Sequence, residues 1–217
     1  MSLGLCPEKA LLNDINPHLV WFYRWLRRGL EIVIPLANDE DLFYAHRDRF
    51  NELLAAGKEG SAEAASLFYF LNRTGFNGLC RFNRSGHFNV PFGSYRSISY
   101  ERDFSVYRRA FAGWRFMAGD FEELRLDASD FVYADPPYDV EFRQYARGGF
   151  EWADQVRTAK WLARHRGPVV LANQATRRVA ELYESLGYDV RYLTAPRRIS
   201  CTGDRTPARE ILATRNL

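Results

Sequence analysis

Asp135-Pro136-Pro137-Tyr138 sets one carboxylate and one flat aromatic ring beside two consecutive prolines. Proline has no backbone N–H and a fixed φ, and each proline pushes its predecessor towards extended geometry. The carbonyls of Asp135 and Pro136 are therefore left to accept from a ligand. With the carboxylate and the ring they suit a planar ligand carrying an amino group with two N–H donors, such as the exocyclic amine of a nucleobase. The same four residues also suit an ordinary strand-ending turn in which Tyr138 only packs, and short motifs of this kind do arise by chance.

The element that must present this turn is the apolar run Phe131-Val132-Tyr133-Ala134, short, aromatic and β-branched and opened by Asp130. It reads as a buried strand delivering Asp135 at its carboxyl end, the edge where open α/β sheets bind ligands.

A second stretch narrows the reading. DPPY after an apolar strand resembles the catalytic motif of amino-group DNA methyltransferases, specifically the Dam-type adenine methyltransferases. Residues 71–95, LNRTGFNGLCRFNRSGHFNVPFGSY, resemble that family's segment running into its DNA-reading hairpin. The resemblance covers nearly the whole chain. It implies transfer of a methyl group from S-adenosylmethionine to the exocyclic amine of adenine in double-stranded DNA, at GATC. Asp135, Pro136, Pro137 and Tyr138 fall at the catalytic positions, and Asp14, Asp120, Phe121 and Asp135 at positions that contact the cofactor. Phe76 and Asn77 fall opposite the opened base pair, and Leu79, Arg81, Asn89 and Pro91 at base-reading positions. Tyr95, and Arg197 and Arg198 in a C-terminal loop with Gly203-Asp204-Arg205, fall at further DNA contacts.

The residues themselves allow these roles. Cys80–Asn83, Arg84-Ser85-Gly86 and His87–Val90 read as strand, turn and strand, with Gly86 available for a left-handed conformation. In a major groove Arg bonds guanine and Asn bonds adenine, each discriminating by about 1–3 kcal/mol, and Phe76 is shaped to wedge where a base has left. A solvated hairpin and a solvated cluster of arginines are the plainer alternatives.

Length and composition set the bounds. At 217 residues and 47% hydrophobic content the chain can bury one substantial core. No apolar run approaches the length of a membrane span, and Met1–Lys9 lacks the form of a signal peptide, so a cytoplasmic location is the expectation. Cys6, Cys80 and Cys201 are odd in number and scattered, supporting neither a disulfide framework nor a zinc site, and no metal is expected. A cytosine-carbon methyltransferase presents its thiolate after a proline, and no Pro-Cys pair occurs. Of 30 basic residues 27 are Arg, compatible with DNA binding and equally with a GC-rich genome.

Strand and helix patterns alternate. Lys9–Asn13 reads as a strand, followed by Asp14 and a helix capped by Asn16 with Pro17 at its first position and ending near Arg28. Residues 39–56 and 61–73 read as two helices joined at Gly57–Gly60. Ser99 is expected to cap a helix to Ala112, followed by a strand at Trp114–Met117. Then come a helix at 151–166, a strand at 168–172 ending in Asn173-Gln174, a helix from Thr176, and strands at 188–193 and 209–214. The expectation is an α/β, doubly wound, mostly parallel, Rossmann-like sheet carrying an inserted helical and β-hairpin DNA-recognition subdomain. Its division would be 1–37 for cofactor binding, 38–98 for target recognition with the hairpin at 79–93, and 99–217 for the catalytic core.

One part of the family pattern does not occur in these residues: the Lys-containing segment, strand and Phe-x-Gly-x-Gly loop that hold the methionine part of the cofactor. Met1–Leu5 resembles the end of the helix that follows that loop. A separate chain supplying that part, and a non-catalytic or partner-dependent DNA-binding remnant, therefore stand beside catalysis. An RNA or protein amino-methyltransferase commonly shows Asn in place of Asp135.

Overall fold

In the computed structural model, which describes residues 2–139, 149–195 and 208–217, a one-turn helix α1 (Ser2–Leu5) leads to strand β1 (Ala10–Asp14). Helix α2 (Pro17–Arg28) starts as its residues require. The Asn16 side chain accepts from the backbone N–H groups of His18 and Leu19, Pro17 needs no partner, and Gly29 ends the helix at φ 92°. Helices α3 (Glu40–Ala55) and α4 (Ala62–Thr74) are capped by Asp39 and Ser61. Helix α4 is buried almost all round, from Ala64 to Leu71, because α2 and α3 both pack on it. Phe43, Phe50, Phe68 and Phe70 are at most 3% exposed and form the centre of one core.

The segment 79–93 departs from the expected pair of strands. It folds back through one bridge between Phe82 and Phe88, with Gly86 at φ 77° in the turn, and a second bridge joins Gly75 to Phe92. Side chains occupy the groups that a regular ladder would use. The Asn83 side chain accepts from Ser85 and His87, and the Asn51 amide both donates to the Phe88 carbonyl and accepts from its N–H.

The expected helix from Ser99 is shorter, α5 (Ser105–Ala110). Glu101 accepts from the N–H groups of Arg102 and Asp103, Asp103 accepts from that of Ser105, and the Tyr69 hydroxyl accepts from the N–H of Glu101, so side chains take the N–H groups that a helix start at Ser99 would need. Strand β2 (Trp114–Ala118) then pairs parallel with β1, with Asp14 opposite Ala118.

Contacts divide the chain into two compact units, Met1–Phe121 and Glu122–Leu217. The second holds β3 (Val132–Ala134), α6 (Trp152–Ala163), β4 (Val169–Gln174), α7 (Arg177–Ser185), β5 (Asp189–Ala195) and β6 (Ala208–Arg215). Its sheet order is β3-β4-β6-β5. β3 and β4 are parallel, but β6 is antiparallel to both β4 and β5, so the sheet is mixed and the expectation of a mostly parallel one is corrected. Parallel neighbours need a crossover, usually a helix, whereas antiparallel ones do not. Val169, Leu171, Ile211 and Ala213 fill its core together with Leu162, Val179 and Tyr183. No helix among the described residues is long and apolar enough to cross a membrane.

Candidate active site

Strand β3 ends where its register with β4 puts Ala134 beside Leu171, and Asp135 follows at the carboxyl edge. The residue is exposed, yet partial burial of its carboxyl raises the pKa above the ordinary carboxylate range, and the Tyr138 hydroxyl draws it partly back. That hydroxyl has one hydrogen to give either carboxylate and reaches Glu210 Oε2 at 3.3 Å, and burial raises the Tyr138 pKa, so the phenol stays protonated. Gln155 Nε2 donates to the Pro137 carbonyl at 2.6 Å. No hydrogen bond among the described residues takes the carbonyl of Pro136.

Asp139 closes the turn and is buried. Arg178 grips its carboxylate with both Nε, at 2.6 Å, and a terminal nitrogen, while the Thr176 hydroxyl donates at 2.9 Å. Its backbone N–H donates to Asn173 Oδ1 at 2.9 Å. The sequence reading brings Asn173 to this edge but does not find Gln155, Asp139, Arg178 or Glu210. The available signal is Asn173 itself, a polar residue ending the apolar run Val169–Ala172 with no exposure at all, since a buried amide requires partners.

In the first unit, the parallel pairing of β1 and β2 brings Asp14 and the Gly119-Asp120-Phe121 segment to one sheet edge. The Gly119 N–H donates to the Asp14 carbonyl at 3.1 Å, and the Asn13 amide ties down the carbonyls of Met117 and Gly119. Gly119 sits at φ 143°, a conformation suited to glycine. The Asp14 carboxylate accepts from the Asn16 N–H at 2.7 Å, and Phe121 lies in a single 3-10 turn with Glu122 and Glu123. Carboxylates that accept hydroxyl or amine hydrogens beside an aromatic ring, at one strand edge, suit a nucleoside. The adenosine part of S-adenosylmethionine fits that set of acceptors.

The hairpin residues take varied places. Phe76 is 40% exposed, on a 3-10 turn in which Asn77 adopts φ 52°. Pro91 is exposed, and its carbonyl accepts from the Phe76 N–H, fixing the two beside each other. Arg81 Nε and Nη2 donate to the side-chain and backbone oxygens of Asn89, both at 2.9 Å, so these two expected base readers are bonded to each other. Leu79 is half-buried against the helical core. Tyr95 works as a brace: its hydroxyl donates to the Gly75 carbonyl, and its ring lies where a Cβ on Gly93 would stand. Asn16, two residues beyond Asp14, donates to Cys80 Sγ at 3.1 Å and ties the hairpin to the start of α2. Arg197 and Arg198 lie outside the described residues.

Comparisons with known proteins agree with this chemistry. The model of the D12 class N6 adenine-specific DNA methyltransferases matches residues 2–198. The chain is 32% identical to the retron Ec67 DNA adenine methylase of Escherichia coli, across 94% of this chain and 74% of the relative. It is 32% identical to a DNA adenine methylase of Vibrio cholerae, across 95% and 79%, and 31% identical to the type II methyltransferase M.MjaIII of Methanocaldococcus jannaschii, across 91% and 76%. The chain therefore belongs to the D12 class of N6 adenine-specific DNA methyltransferases, enzymes that depend on S-adenosylmethionine.

Proposed function

We propose that this chain methylates adenine within GATC in duplex DNA, with the adenine flipped out of the helix before transfer, and that its core is a Rossmann-like methyltransferase fold. The observation that carries the reading is the Asp135–Tyr138 turn, in which a partly desolvated carboxylate, the carbonyl of Pro136 and an aromatic ring stand together at the carboxyl end of β3. S-adenosylmethionine, when bound, supplies an electrophilic methyl group. Asp135 and the Pro136 carbonyl each accept one hydrogen of the adenine amine, which draws the nitrogen lone pair out of ring conjugation. Transfer is then a direct displacement with no covalent bond to the enzyme, and positioning and electrostatics carry the rate. Flipping costs a few kcal/mol, and stacking on Tyr138 returns about 1–3 kcal/mol of it.

Asp14, Asp120, Phe121 and Asp135 are assigned to the cofactor. Phe76 and Asn77 are assigned to the opened base pair, Leu79, Arg81, Asn89 and Pro91 to base reading, and Tyr95, Arg197 and Arg198 to further contacts with the duplex. Residues 1–37, 38–98 and 99–217 would serve cofactor, target and catalysis in turn, in a cytoplasmic enzyme. Supply of part of the cofactor pocket by a separate chain is compatible with this assignment.

The test is methyl incorporation into a GATC duplex against one with the adenine moved out of that sequence, for the wild type and for Asp135→Ala. Asp135→Ala is expected to lower transfer by about 10³-fold while duplex binding, at one stated salt concentration, stays nearly as it was. Equal loss of transfer and binding would overturn the catalytic assignment. Duplex binding without transfer by the wild type would favour a DNA-binding remnant.

A further inference from the structure

Two buried side-chain amides beneath the Asp135–Tyr138 turn have a single consistent arrangement. Asn173 is 0% exposed, and its Oδ1 accepts from the backbone N–H groups of Asp139 at 2.9 Å and Gln174 at 2.8 Å. Those two donors fix which side of the amide is oxygen. Its Nδ2 then donates to Gln155 Oε1 at 2.8 Å and to the Tyr183 hydroxyl at 2.9 Å. Gln155, 3% exposed, has its oxygen taken and so turns Nε2 to the Pro137 carbonyl at 2.6 Å. The relay thus runs from the backbone of Asp139 to the carbonyl of Pro137, the two ends of one short turn. Pro137 biases Pro136 towards extended geometry, in which successive carbonyls point to opposite sides, so tying the Pro137 carbonyl beneath the turn would leave that of Pro136 to the other side.

We infer that Gln155, oriented by Asn173, is a positioning residue for methyl transfer: its amide donor holds the Pro137 carbonyl and thereby selects the Pro136 carbonyl as the acceptor for the substrate amine. The inference rests on the proposed reading that Asp135 and Pro136 hold that amine. Gln155 touches no reacting atom and acts only through the turn.

Gln155→Glu keeps the shape of the side chain and the acceptor for Asn173. Ionised, it has no hydrogen to give Pro137, and protonated it regains one. The expected result is a kcat about tenfold below wild type at alkaline pH, with KM for duplex and for S-adenosylmethionine within about twofold. The ratio of variant to wild-type kcat rises as the pH is lowered. Gln155→Met lacks the donor at every pH, so its ratio stays low and flat. A side chain that merely filled space would show no such recovery. Folded variants that keep the wild-type kcat, or whose kcat and KM change together without recovery on acidification, overturn the inference. Hydrogen exchange at the Asp139 amide needs no turnover and is expected to quicken about tenfold in Gln155→Met. A wild type that transfers no methyl group defeats the proposed function, and an unchanged Asp139 exchange rate then defeats the relay separately. If Gln155→Met does not fold, the pH profile of Gln155→Glu decides alone.

Discussion

The Asp135–Tyr138 turn is held by polar groups taken out of water, whereas the 79–93 hairpin is held by rings. Beneath the turn, Asp139, Asn173 and Gln155 satisfy one another and the backbone, with buried Thr176 and the half-exposed Arg178 completing the set. Each bond has a direction, so the turn has one geometry, and a half-satisfied alternative would be costly. The hairpin instead buries Phe88 and Val90, at 1% and 0% exposure, against Phe50 and Phe82. Packing of that kind fixes depth more than angle. The outer side chains, Arg81, Asn89 and the Phe76 ring, are left on the surface. Chemistry on an amine demands fixed direction, while reading a groove demands a firm root and side chains able to change partners. The Arg81–Asn89 pair bears on the second demand: under the proposed assignment, Arg81 would leave its two Asn89 oxygens to take the two acceptors of a guanine edge.

The largest effect expected from this contrast lies at the root of the hairpin. Phe88→Ala removes a fully buried ring and should cost about 3–5 kcal/mol, seen as a lower urea midpoint at unchanged slope. Specific duplex binding should fall with it. A loss below about 1 kcal/mol would mean that the Asn51 clamp on the Phe88 backbone, and not the ring, roots the hairpin.

Next in size is Arg81→Ala, expected to relax discrimination at one base pair by about 1–3 kcal/mol while overall affinity changes less. A uniform loss across sequences, together with a shallower salt dependence, would make Arg81 a phosphate contact and place it with the merely electrostatic surface.

The same contrast explains what the sequence discloses. Helix starts are legible because a cap is local: Asn16, Ser61 and Thr176 each accept from N–H groups two or three residues on. The Asp135–Tyr138 motif is legible for the same reason, but its strand is shorter and less buried than expected: it spans Val132–Ala134, is half-buried, pairs only with β4 among the described residues, and leaves Phe131 49% exposed. The helix expected from Ser99 fails because Tyr69, 32 residues from Glu101 in the chain, claims its N–H. Strand direction fails because an apolar run carries none. The relay under the turn joins residue 139 to residue 173 and residue 155 to residue 173, pairings that no local pattern encodes.

The smallest effect is the sharpest test of how the turn is tuned. The Tyr138 hydroxyl lies between the carboxylates of Asp135 and Glu210, and it lowers a pKa that partial burial has raised. Under the proposed mechanism transfer requires Asp135 ionised, so the rate should fall on the acid side, with its midpoint above the ordinary aspartate value of about 3.9. Tyr138→Phe keeps the stacking face but removes the donor, so the Asp135 pKa must rise further and the acid limb must move to higher pH. Below both midpoints neither form is active, between them only the wild type is, and well above them the two should differ modestly because the Phe ring still stacks. The check is kcat against pH for both proteins. An acid limb that stays in place would show that the hydroxyl serves Glu210 alone, and Tyr138 would then act on the base through its ring and not on the carboxylate beside it.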